Sequence, residues 1–286
     1  MRIHHLNCIT MCPPGGRLMD GRKGAHGPAQ LSCHCLLLEL ADRLVLVDTG
    51  FGLEDVRHPR PRLAPVFLYT LCRPQLVEED TALRQLQALG FGAEDVTDIV
   101  LTHLDFDHAG GLDDFPRARI HLLEAEARGA VAQATPLDRR RFRPQQWMSA
   151  DRWLPYPERG ERWFGFEAVR DLQGLPPEIL LVPLPGHTAG HAGVAVRRGD
   201  DWLLHAGDAY FFRGEIDPDR PWCPPGLRAY QRMLDRDQPA RLANQERLRR
   251  LVRDRRDVTV FCSHDPVEWE RLAAEADLLV GQVRKW

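Results

Sequence analysis

Lysine is almost missing from this chain. Of its 38 lysine and arginine residues only Lys23 and Lys285 are lysine, which leaves 36 arginines. We read that bias as a consequence of genomic base composition, not as a binding surface. Charge of one sign is lacking too: the formal net charge is -3, which argues against a polyanion-binding face and against nucleic acid as a partner. The arginine runs 139–141 and 247–256 read as solvated helix faces. No stretch reaches 18 consecutive apolar residues, so no membrane-spanning helix is expected. The first 16 residues lack the apolar core of a signal peptide, and Pro13-Pro14-Gly15-Gly16 reads as a turn. Seven cysteines, an odd number scattered over a long chain, argue against a disulfide framework and for reduced thiols in a cytoplasmic protein. Repeats and low-complexity linkers are absent. What remains, 43% hydrophobic and 28% charged over 286 residues, is ordinary globular composition with room for one or two domains.

The apolar pattern is that of an α/β protein. Short apolar runs at 36–40, 44–47, 98–101, 119–123, 179–183, 193–196, 202–205 and 258–262 read as strands. Segments 83–89, 124–132, 245–255 and 268–280 read as helices. Strands occur in both halves, so two strand-rich halves could pack face to face. Residues 133–175 break this rhythm with four prolines and the aromatic residues Phe142, Trp147, Trp153, Tyr156, Trp163, Phe164 and Phe166. They read as an insertion, either a substrate-facing lid or a surface excursion that buries its own aromatics.

The chemistry concentrates at strand ends. His103, Asp105, Asp107 and His108 fall within six residues, directly after the strand at 98–101. A loop at a strand's end can aim several side chains at one point, and imidazole and carboxylate are the ligands that divalent first-row metals take. Three further signals also follow strands: Pro185-Gly186-His187-Thr188-Ala189-Gly190-His191, Asp208 in Gly207-Asp208-Ala209-Tyr210, and His264 in Ser263-His264-Asp265. Cys33-His34-Cys35 looks metal-like, but it opens a buried strand on which only the two cysteines share a side. We read them as core thiols, with Cys8 and Cys12 as remote candidates for a second site. His4, His5, His26, His58, His121 and His205 have no ligand-type neighbours in sequence.

Taken in order, Asp48-Thr49-Gly50, the 103–108 cluster, His187, Asp208 and His264 resemble the metallo-β-lactamase superfamily. The resemblance spans about residues 44–265. It implies a four-layer αβ/βα sandwich over residues 1–286 as one domain, with a pair of metal ions at one edge of the two sheets. Carried over position by position, His103 and His187 would hold the first ion, Asp107, His108 and His264 the second, and Asp208 would bridge them. Asp48 would orient ligands from behind, and His191 would be structural. The family's usual motif is His-x-His-x-Asp-His, and this chain has Asp105 at the middle histidine. Asp105 could still ligate the first ion, which would move the preference from zinc toward iron or manganese. Alternatively it is too short to reach, and the first site is weak.

The implied activity is that of a metallo-hydrolase. Two divalent ions, zinc by default, lower the pKa of a shared water toward about 7, and the hydroxide attacks a carbonyl carbon. Asp107 would orient that nucleophile and accept its proton, and Tyr210 could donate to the substrate oxygen. The local wording is most similar to the N-acyl homoserine lactonase branch, which implies a small ester or lactone substrate. Two departures weaken the lactone itself: Asp105, and Phe211 where those enzymes carry a tyrosine. The competing reading is a mononuclear or di-iron oxidoreductase resembling the persulfide dioxygenases, with a phosphodiesterase or nuclease behind it. A homodimer is compatible with the sequence.

Overall fold

The computed structural model describes residues 1–22, 27–147 and 150–283. Twelve strands form two six-stranded sheets. The first runs β1 (Arg2–Asn7), β2 (His34–Glu39), β3 (Leu44–Val47), β4 (Val96–Val100), β5 (Arg119–Leu123), β6 (Trp153–Tyr156). The second runs β12 (Val258–Phe261), β11 (Asp201–His205), β10 (Ala192–Arg198), β9 (Ile179–Pro183), β8 (Phe166–Asp171), β7 (Glu161–Trp163). From β3 to β6 neighbouring strands are parallel, as are β11 and β12. The parallel strands send their carboxyl ends to the same edge of the molecule.

Strand side chains alternate, and each sheet is apolar on both faces, which forces cover on both. On β2, Leu36 and Leu38 enter the core between the sheets, while Cys35 and Leu37 face outward. Val45 and Val47 point inward on β3, and Leu44 and Leu46 outward. Ile179 and Leu181 of β9 meet them from the second sheet. Leu83 and Leu86 of the helix Ala82–Ala88, with Ala130 of Glu124–Ala132, pack in the first sheet's outer core. Leu248 and Leu251 of Gln238–Asp254 pack in the outer core of the second. The result is the expected αβ/βα sandwich.

The residues at 133–175 build edges of both sheets, and near their start the helix Asp138–Arg141 reaches the loop at 103–108. They supply β6, β7 and β8, so both sheets end in this segment. Pro155 sits in the edge strand β6, where the missing N–H costs least. Trp147 and Trp153 pack with ring centroids 5.2 Å apart and planes tilted by 49° on the first sheet's outer core. Trp163 packs with Phe164, Phe166 and Trp202 on the second. The aromatics thus bury one another. Besides β6, β7 and β8, the sequence pattern did not show β1, which mixes polar and apolar residues, or the helix Pro225–Leu234. The helix expected at 245–255 begins earlier, at Gln238, where Asp237 caps it by accepting from Ala240 N–H.

All seven cysteines are free and buried. Among the described residues no three of Cys8, Cys12, Cys33 and Cys35 gather closely enough to share an ion. No helix among the described residues is long and apolar enough to cross a membrane. His26 lies outside the described residues.

Candidate metal centre

Five loops meet at the carboxyl edge, after β3, β4, β9, β11 and β12. They bring together His103, Asp105, Asp107, His108, His187, Asp208 and His264, all buried. Asp208 stands in the middle and divides them. Its Oδ2 lies 3.3 Å from His187 Nε2 and 3.8 Å from His103 Nε2. Its Oδ1 lies 3.3 Å from His108 Nε2, and His264 Nε2 sits beside both oxygens, 3.1 Å from Oδ1 and 3.2 Å from Oδ2. Asp105 Oδ2 joins the first group, 3.4 Å from His103 Nε2 and 3.0 Å from His187 Nε2. Asp107 Oδ2 joins the second, 3.6 Å from His264 Nε2 and 3.9 Å from His108 Nε2.

These spacings fit a divalent ion better than a hydrogen-bond network. Ligand atoms around a tetrahedral ion with bonds of 2.0–2.1 Å stand about 3.3 Å apart. His103 Nε2, His108 Nε2 and Asp208 Oδ1 are buried without any hydrogen-bond partner, a costly condition unless something else satisfies them. The charges agree. Burial opposes protonation of His108, yet Asp208, Asp107 and Asp48 together raise its pKa well above the ordinary value. Burial raises the carboxyl pKa of Asp107. Around His108 the carboxylates thus favour a positive charge, as a bound cation would supply. Burial and the neighbouring His108 push the pKa of His103 down to about 4 and keep its imidazole neutral, the form a metal takes.

The groups behind the ligands fix their orientation. Asp48 Oδ2 accepts from His108 Nδ1 at 2.8 Å, so Nε2 keeps its lone pair for the pocket. The same carboxylate accepts from Thr102 N–H and from the Thr102 hydroxyl, each at 2.7 Å, and that hydroxyl touches His103 Nδ1 at 2.9 Å. His264 Nδ1 donates to the Ser32 carbonyl at 2.7 Å. His191 is no ligand: Nδ1 donates to the Leu184 carbonyl and Nε2 accepts the Asp208 N–H. Gly207 is required there. It has φ +53°, and a Cβ would come within 2.6 Å of His191 Nε2.

Tyr210 needs correction. Its hydroxyl donates to Glu268, and the ring is wholly buried in the outer core of the second sheet. In the turn that follows β11 it is the next residue, Phe211, that faces the site, its ring centroid 4.5 Å from that of His264. The phenol that lines the pocket is Tyr230 of Pro225–Leu234, its hydroxyl 3.1 Å from Cys72 Sγ. Met11, Phe67, Phe106, Phe211 and Leu234 complete an apolar roof. A wider groove at the opposite end of the sandwich, beside Arg43 and Arg198, contains none of these groups.

Sequence reasoning missed three further contributors. Arg141 grips Asp105 with two prongs, at 2.7 and 2.5 Å. It had been grouped with a solvated arginine run. Glu126 accepts from Leu104 N–H, Thr188 hydroxyl and Gly190 N–H, so one carboxylate ties the 103–108 loop to the His187 loop. Burial raises its pKa to about 7. Cys33, expected in the core, has its sulfur grouped with Asp107 and His264, the three atoms within 4.8 Å of one another. Outside the site the bland readings hold: His4 pairs with Glu39, His5 with His34, His58 with Glu54, His121 with Asp98, and His205 with the His34 carbonyl.

Comparisons with known proteins point the same way. The family model of the Metallo-beta-lactamase superfamily matches residues 29–264. A probable metallo-hydrolase of Mycobacterium tuberculosis is 42% identical over 267 residues, covering 93% of this chain and 81% of that protein. An N-acyl homoserine lactonase of Bacillus cereus is 25% identical over 265 residues, covering 90% and 93%. Among solved structures, an N-acyl homoserine lactone hydrolase with N-hexanoyl-L-homoserine at its catalytic metal centre superposes with a TM-score of 0.69. That pair is 19% identical and is covered to 94% and 95%.

Proposed function

The chain belongs to the metallo-beta-lactamase superfamily, and from that premise we propose that it is a metal-dependent hydrolase opening a small ester or lactone. The observation that carries the proposal is the division of ligands across Asp208. His103 and His187 face its Oδ2, with Asp105 against both imidazoles; His108 faces its Oδ1, and His264 lies beside both oxygens with Asp107 next to it. We assign these seven residues as ligands of two divalent positions. Zinc is the default choice. Arg141 neutralises the charge that Asp105 brings in place of a histidine, which weakens the case for iron or manganese.

Bound there, the ions would supply Lewis acidity and a water acidic enough to ionise near neutral pH. The remaining work falls to the protein's own residues. Asp48 and Thr102 hold two imidazoles so that Nε2 faces inward. Asp107 would orient the attacking water and take up its proton. The roof of Met11, Phe67, Phe106 and Phe211 leaves a cavity of only about 10 Å³ at the centre, which excludes bulk water. Tyr230 replaces Tyr210 as the phenol placed to donate to the substrate oxygen. The Bacillus cereus relative is a lactonase, which supports the lactone within the ester class.

Elemental analysis followed by a screen over lactones, aryl esters and phosphoesters tests the proposal. Wild type should bind metal and hydrolyse a lactone or ester, and His108→Ala and Asp208→Ala should lose both metal and activity. Full activity in either variant refutes the site. Bound iron with thiol-dependent oxygen uptake and no hydrolysis would replace the function by an oxidoreductase.

A further inference from the structure

Arg141 occupies space that the first position needs. Its side chain is 2% exposed. Nε donates to Asp105 Oδ1 at 2.7 Å, and Nη1 donates to the carbonyls of His187 and Leu234 at 3.1 and 2.8 Å. Nη2 reaches Asp105 Oδ2 at 2.5 Å and His187 Nε2 at 2.6 Å. A guanidinium has five N–H donors and no acceptor. His187 Nε2 must therefore be the acceptor of that contact, and it spends there the one lone pair that a metal would take. Its 3.0 Å approach to Asp105 Oδ2, itself only an acceptor, is then bridged by the same Nη2 and is no hydrogen bond. A carboxylate oxygen can serve an arginine and an ion together, because it has spare lone pairs. An imidazole nitrogen cannot.

The second position has no such rival. His108 Nε2 and Asp208 Oδ1 are without partners. His264 Nε2 faces only carboxylate oxygens, those of Asp208 and Asp107. Among the described residues no arginine or lysine side chain bonds to this group.

We propose that the two positions fill unequally, with Arg141 as the cause. The second position takes a divalent ion tightly. At the first, the guanidinium stands in for an ion, a fixed positive charge held against Asp105. An ion enters there only when Arg141 releases His187 Nε2. The inference rests on the ligand assignment proposed above and adds an order of filling to it. Arg141 is a positioning residue in this scheme: it acts through His187 and Asp105.

Cobalt titration of the metal-free protein, followed by electron paramagnetic resonance and elemental analysis, tests it. Wild type should hold one cobalt after dialysis against a weak chelator and show an uncoupled spin signal. The second cobalt should bind at least about tenfold more weakly, equivalent to ~1.4 kcal/mol, and should couple to the first through Asp208. Arg141→Gln should close that gap and retain two ions. Two equal affinities in wild type would overturn the proposal. So would an Arg141→Gln protein that binds the first ion more weakly, because Arg141 would then support the site instead of competing for it. The wild-type titration decides the question even where the variant folds poorly. A wild-type protein that binds no cobalt at all would instead overturn the ligand assignment itself.

Discussion

Replacing Asp48 by asparagine isolates how a residue that touches no substrate sets metal affinity. Asp48 is fully buried and has φ 56°, a left-handed conformation that asparagine tolerates as well as aspartate. The backbone therefore has no reason to move. An asparagine oxygen can still accept from Thr102 N–H, and its NH2 can donate to the Thr102 hydroxyl. It cannot also accept from His108 Nδ1. The imidazole then faces a donor and is driven toward the tautomer with the proton on Nε2, the atom aimed into the pocket. The lost bond is charge-assisted, at 2.8 Å, a class worth ~1.5–3 kcal/mol. At 1.4 kcal/mol per factor of ten, that is about ten- to hundredfold weaker binding at the second position, the range seen when such orienting partners are changed. Competition with a chromophoric chelator measures it, with the melting temperature as a folding control. Asp48→Asn protein that folds normally and binds metal within about twofold of wild type would refute the reasoning, since 0.4 kcal/mol is below the worth of any charge-assisted bond.

Three other outcomes follow from particular contacts. Tyr210→Phe should leave kcat/KM unchanged while Tyr230→Phe lowers it, because only the second phenol lines the pocket; an inactive Tyr210→Phe enzyme with normal stability would reverse that assignment. Glu268 is buried beside Asp265, and its pKa rises from 4.5 to about 8. Its protonated form is the one the fold favours, so this contribution to stability is complete below pH 4.5 and is lost as pH rises through 8. Urea midpoints should therefore show wild type losing ground to Glu268→Gln across that window, on the order of 1 kcal/mol per pH unit; a pH-independent difference would refute it. Asp105→His restores the family's usual ligand, and by ligand chemistry alone it should favour zinc. The structure predicts the opposite: Arg141 would be left buried without its carboxylate, at a cost of about 3–5 kcal/mol. Lower thermal stability and no gain in zinc affinity are expected, and a stable variant with tighter zinc would contradict this.

The legible part of the site was the part carried by local sequence. His103, Asp105, Asp107 and His108 lie on one loop after β4, and any chain that folds β4 must present them together. His187, Asp208 and His264 each follow an apolar strand, so their place at a strand end could be read without knowing which strands are neighbours. Tyr210 failed because a one-residue step after β11 exchanges the site for the outer core, and the sequence does not show which of Tyr210 and Phe211 faces which.

Arg141, Glu126, Cys33 and Tyr230 were illegible for a different reason. Each reaches the site from another segment; only Cys33, in Cys33-His34-Cys35, stands in a run that looks metal-like, and its place in the core outweighed that. Arg141 sat in a run of three arginines whose other two members are exposed. Composition and the apolar pattern by themselves determined an α/β protein with strands in both halves, ligand-type residues at its strand ends and little lysine. The two-sheet sandwich with metal ions at one edge was what the family resemblance implied. Whether an arginine is a solvated charge or the cation at the centre of that edge depends on what folds over it. That was decided only when the helix Asp138–Arg141 laid one guanidinium between Asp105 and His187, where no water can replace either partner.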